Sequence, residues 1–110
     1  MIRSDSATGG IWPRTSALLT RQALEQAVRS HWAVLPATAG LESASMRSQL
    51  ICLPFYLDAT IAEQVAYVWA ALSRACHYHP YELAPTAAEL TSWIGDVESL
   101  ITQVGASVKG

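Results

Sequence analysis

The sequence predicts an all-α domain, an up-and-down bundle of four helices, or five if one short further element is present, that dimerises. Three observations carry this. No segment alternates apolar and polar residues with a period of two, and no Asn-Gly or Asp-Gly hairpin turn occurs. Four stretches instead repeat apolar residues at steps of three and four, joined by short connections. The chain is also 51% apolar and only 15% charged, where roughly 25% charged is ordinary. So little polar surface implies that a partner, most simply a second copy, covers part of the apolar surface.

Residues 1–12 form a polar lead containing Gly9-Gly10 and are expected to be a disordered tail. Residues 13–105 make the bundle, and 106–110 a C-terminal tail. Pro13 suits the first turn of a helix, which then runs to about Leu35 with Ala17, Leu24, Val28, Trp32 and Leu35 on one stripe. Pro36 and Gly40 break the chain. A shorter helix carries Met46, Leu50, Leu53 and Leu57, with Pro54 kinking or shortening it.

The third helix opens at Thr60-Ile61-Ala62-Glu63 and the fourth at Thr86-Ala87-Ala88-Glu89. Both fit the capping box, in which a threonine hydroxyl and a glutamate satisfy backbone N–H groups reciprocally. The third presents Ile61, Val65, Val68, Trp69, Leu72 and Cys76 to the core. It should end near Tyr78, because Pro80 pushes His79 out of α geometry. The fourth presents Leu90, Ile94, Val97, Ile101 and Val104 and is expected to stop at Gly105. Gly95 within it suggests close packing against a neighbouring helix, since glycine there costs about 1 kcal/mol relative to alanine.

A length of 110 residues corresponds to one domain. The longest apolar runs, 50–57 and 66–72, fall short of the ~20 residues a membrane span needs. The first residues show no basic start followed by an apolar block, so no signal peptide is expected. Cys52 and Cys76 then read as reduced thiols, and the expected location is the cytoplasm. A net charge of −2 gives no general attraction to nucleic acid, although a local site at a subunit junction stays open. Trp32, Trp69 and Trp93 read as core or interface fillers and His31 as a partly exposed residue near a helix C-terminus. Glu25, Asp96 and Glu98 read as solvated faces. No Ser-His-Asp set or phosphate-cradling glycine loop is visible, and no cofactor is expected.

The most reactive stretch is Ser73-Arg74-Ala75-Cys76-His77-Tyr78-His79-Pro80-Tyr81. A guanidinium can hold and neutralise a phosphate, and an imidazole moves protons near neutral pH. Arg74 lies about 200° around the helix from Leu72 and Cys76 and so points away from the core. Its face reads Glu63, Ala66, Tyr67, Ala70, Ala71, Arg74, His77 and Tyr78, small residues flanked by aromatics, which suit contact with another protein surface. A fifth element of the same chain is the other way to cover it. Cys76, His77, His79 and Glu82 offer a competing zinc set, but adjacent helical residues diverge by about 100° and the loop would have to wrap the ion.

Arg74, four residues, His79, one residue and Tyr81 together resemble the R-x4-H-x-Y motif of HEPN domains. LTRQALEQAVRSHW, MRSQLICLPFYL and AALSRACHYHPYELAPTAAELTSWI, in that order, are similar to an actinobacterial branch of that family, covering roughly residues 15–103. The resemblance implies a helical homodimer that brings two Arg–His sets into one cleft and acts as a metal-independent endoribonuclease, the toxin of a toxin–antitoxin or defence system. Arg74 would hold the scissile phosphate of RNA and His79 would act as acid or base, with His77 and Tyr81 supporting the site. Tyr81 matches the tyrosine that a nucleotidyltransferase-type antitoxin adenylylates in some members. Ala75 stands where many active members carry Asn or another polar residue. A non-catalytic HEPN dimer that binds a protein or nucleotide is the alternative.

Overall fold

The computed structural model describes residues 11–38, 40–77 and 83–109. The described chain is helical and contains no strand. Helix α1 spans Ile11–Ala33, α2 Met46–Cys52, α3 Ala59–Cys76 and α4 Ala87–Lys109. Single 3-10 turns at Pro36–Thr38, Leu41–Ser43 and Leu53–Phe55 join the first three. The expected all-α architecture is therefore present, with the three long helices packed pairwise around one core and α2 closing one end.

That core is built from the predicted stripes. Leu24, Val28 and Trp32 of α1 meet Val65, Val68 and Leu72 of α3, while Leu90, Val97, Leu100 and Val104 of α4 complete it. Each such side chain taken fully out of water contributes roughly 1.5–3 kcal/mol. Three polar rungs show that α1 and α3 run antiparallel: Arg14 reaches the carbonyls of Ala75 and His77, Arg21 reaches Ser73, and Glu25 reaches Trp69. A groove that joins the start of α3 to the C-terminal half of α4 (Thr60 and Gln64 beside Ser99 and Gln103) shows that these two are also antiparallel.

Several expectations are corrected by the geometry. Helix α3 starts one turn's edge earlier than the Thr60 box: Asp58 is its N-cap, accepting the Thr60 N–H at 3.0 Å. A carboxylate both accepts that hydrogen bond and favours the positive end of the helix dipole. Pro54 ends the second helix at Cys52 and leaves a 3-10 turn, so Leu53 and Leu57 reach the core from a connection. Gly105 does not stop α4, because among the described residues only Gly40 adopts a positive φ and Gly105 keeps right-handed geometry through to Lys109. Ile94 and Ile101 lie on the flank of α4, 38% and 37% exposed, while Leu100 takes the buried position. Gly95 packs against no other element among the described residues; a Cβ there would meet none of their atoms within 4 Å beyond its own stretch of helix.

Two polar groups go deeper than their residue types suggest. Gln49 is fully buried on α2, accepting the Trp32 Nε1–H at 3.1 Å and donating to the Ala44 carbonyl at 2.7 Å. It welds α2 to α1 and to the turn between them. His31, expected to be partly exposed, is only 3% exposed and stacks edge-on against Trp32 with ring centroids 5.0 Å apart. Neither of its ring nitrogens has a hydrogen-bond partner among the described residues, and burial pushes its basicity below the ordinary histidine range.

Candidate functional site

Near the end of α3, Ala75 faces inward and is buried, which turns Arg74 outward to an exposed position. The helix stops at Cys76, slightly ahead of the expected Tyr78, because His77 turns extended with φ −90° and ψ 143°. Its N–H still bonds the Arg74 carbonyl at 3.3 Å. The last carbonyls of a helix lack intrahelical donors and need outside partners. Arg14 of α1 supplies one, donating through Nη1 to the Ala75 carbonyl at 3.3 Å and to the His77 carbonyl.

Beside this end lies a cleft of about 420 Å³, walled by α3, the start of α4 and the connection between them. Arg14, Tyr67, Arg74, Leu83, Glu89 and Trp93 bound it, and Ala70, Ala71 and Ala75 form its shallow floor. Arg74 makes no side-chain hydrogen bond or ion pair among the described residues. Glu89 is occupied by the capping box the sequence predicts: it accepts the Thr86 N–H at 2.9 Å and donates its own N–H to the Thr86 hydroxyl at 3.1 Å. The cleft thus presents two guanidiniums, one of them clamped, against one carboxylate already engaged in holding a helix start.

Of the residues singled out in the sequence, Arg74 lies on the cleft wall, while His77 caps the end of α3, exposed and outside the cleft lining, with its carbonyl held by Arg14. His79 and Tyr81, with Tyr78, Pro80 and Glu82, lie outside the described residues. So do residues 1–10 of the N-terminal lead. Cys52 and Cys76 are free, partly buried thiols. Of the zinc set only Cys76 and His77 are described, and among the described residues no three His, Cys, Asp or Glu side chains converge on a metal-sized site.

Sequence reasoning missed Arg14. Its signal was present: Arg14 and Arg21 fall on the same heptad stripe as Ala17, Leu24 and Val28, and a cation on a core stripe must find acceptors. Glu25, expected on a solvated face, instead sits in the α1–α3 seam. It accepts from Trp69 Nε1 at 2.8 Å, with Arg21 at 3.4 Å and Arg29 at 3.7 Å from its oxygens. Arg21 Nε lies within ion-pairing distance of Glu25 but is not aligned for a hydrogen bond.

No family model, no curated protein and no solved structure matches the chain. No helix among the described residues is long and apolar enough to cross a membrane.

Proposed function

We propose that the chain is a HEPN-type, metal-independent endoribonuclease that works in the cytoplasm as the toxin of a toxin–antitoxin or defence system. The observation that carries this is Arg74: an exposed guanidinium without a partner among the described residues, set on the wall of a cleft large enough for a nucleotide. Arg74 holds the scissile phosphate and neutralises the charge that builds on its oxygens. His79, five residues on, takes the proton of the RNA 2′-hydroxyl or returns one to the leaving 5′-oxygen. The 2′-oxygen forms a bond to phosphorus as the P–O5′ bond breaks, leaving a 2′,3′-cyclic phosphate and a 5′-hydroxyl.

The same face supports a homodimer. Tyr67, Ala70 and Arg74 are exposed along one side of α3, so two copies meeting at the rim of the cleft, and not on its alanine floor, would leave that floor free. Two copies meeting there would open their clefts onto one groove with two Arg–His sets. A nucleotidyltransferase-type antitoxin that adenylylates Tyr81 would silence the site by placing a bulky anion beside Arg74. One observation favours the alternative of a non-catalytic HEPN dimer that binds a protein or nucleotide: Leu83 on the cleft is 95% exposed, and the whole chain has only seven Lys and Arg residues.

Incubating purified protein with single-stranded RNA separates the two. Wild type should yield cyclic-phosphate ends in the presence of chelator, and Arg74→Ala and His79→Ala should each lower the rate by about 10²–10⁴-fold, the usual range for a positioned proton-transfer group. Equal product from all three proteins would remove the enzyme and leave the binding module.

A further inference from the structure

The cleft contains more than a phosphate contact needs. Tyr67 and Arg74 stand two turns apart on α3, about 10 Å along the axis at 1.5 Å per residue. Between them Ala70 and Ala71 leave a low floor, and Trp93 of α4 faces it from the opposite wall. Tyr67 is 68% exposed, an unusual position for a large aromatic on a helix whose other face is core. Neither the Tyr67 hydroxyl nor the Trp93 indole N–H has a hydrogen-bond partner among the described residues. Tyr67 therefore lines the cleft with neither burial nor a hydrogen bond to explain its placement, while Trp93 lines it and also packs against the core.

We infer that this cleft is a nucleotide subsite, in which Arg74 takes the phosphate, Arg14 adds a fixed positive charge, and Tyr67 and Trp93 receive the adjoining base of a single-stranded RNA. This deepens the proposed ribonuclease reading by assigning base contacts at the same site. The chemistry favours a nucleotide over other anions for three reasons. Aromatic faces accept any base by stacking, and single-strand binders pair such faces with cationic side chains that hold the backbone. A net charge of −2 with seven Lys and Arg residues gives no general attraction to a phosphate track, which favours recognition concentrated in one or two nucleotides. The volume of about 420 Å³ lies at the lower end of small-ligand pockets, roughly 300–1,000 Å³, which admits a single splayed base and its phosphate but no duplex.

The test uses the full chain and a short, fluorescein-labelled single-stranded RNA with 2′-O-methyl riboses, which can bind but cannot be cleaved. Anisotropy should show binding that Tyr67→Ala weakens by between about fivefold and a hundredfold, the range for losing one stacked base. Tyr67→Phe should retain it, because the ring and not the hydroxyl makes the contact. Arg74→Gln should weaken it comparably, and the same backbone without bases should bind no better than the Tyr67→Ala protein binds the intact strand. Trp93→Leu adds a second reading, with circular dichroism to confirm folding, since Trp93 also packs against the core. Equal binding by wild type and Tyr67→Ala, equal binding of the base-free strand, or displacement by free phosphotyrosine as effective as by the strand would overturn the inference. Binding of the uncleavable strand with no cleavage of ordinary RNA would end the ribonuclease reading alone. Cleavage with no effect of Tyr67→Ala on binding would end this one alone.

Discussion

At the residue scale, the two buried polar groups make opposite predictions. Gln49 is satisfied, so its loss strands others: Gln49→Leu leaves the Trp32 indole N–H and the Ala44 carbonyl without their partner inside the core. Urea denaturation should show a loss of about 2–4 kcal/mol, the sum expected for unmade buried hydrogen bonds. His31 is unsatisfied and held neutral by burial. Its basicity in the folded chain is lowered, so as pH falls through the ordinary histidine value of about 6.5 the unfolded chain takes up the proton first. Stability from this residue is intact above that value and declines below it, until pH passes the lower folded value. Thermal melts should therefore fall between pH 7.5 and pH 5 more steeply for wild type than for His31→Leu. Identical slopes would show that His31 is not the group responsible.

At the element scale, the helix starts are the most predictable features. Thr86→Ala removes a reciprocal cap and should cost about 1 kcal/mol, and Asp58→Ala a similar amount. Gly95 faces open space in right-handed geometry, so Gly95→Ala should raise stability by about 1 kcal/mol. A loss instead would mean that a second chain approaches Gly95 closely. These positions also show what was legible beforehand. Helix existence was written in three- and four-residue spacings, and the Thr86–Glu89 box was read correctly because all its parts are local. Asp58 displaced Thr60 because two adjacent candidates compete for one cap, and a pattern of residue types does not rank them. Ile94 and Ile101, expected inward, lie on the flank and Leu100 is buried instead, because each is near the edge of a stripe, where only the neighbouring helices decide which turns inward. The Arg14 clamp and the Glu25 seam depend on contacts across 44 to 63 residues, which no local spacing contains. Arg74 was placed outward from the sequence because its direction follows from the helix's own periodicity.

At the scale of the whole molecule, the proposed dimer makes a direct prediction. Ala70 is exposed on α3, so Ala70→Glu should leave the helical fold of the single chain intact, which circular dichroism checks. If two copies meet on that face, sedimentation equilibrium should show wild type as a dimer and the variant as a monomer. A monomeric wild type would remove the composite groove while leaving the single cleft in place. The antiparallel order of α1, α3 and α4 has one further result. Arg14 and Glu89, each near the start of its helix, both border the cleft, so α1 and α4 begin at the same end of the molecule. From Glu89, α4 travels about 30 Å before Lys109. An affinity handle or fluorescent fusion joined ahead of Ile11 therefore emerges beside the cleft mouth and competes with whatever enters it, whereas one joined after Lys109 hangs from the far pole and leaves the entrance clear.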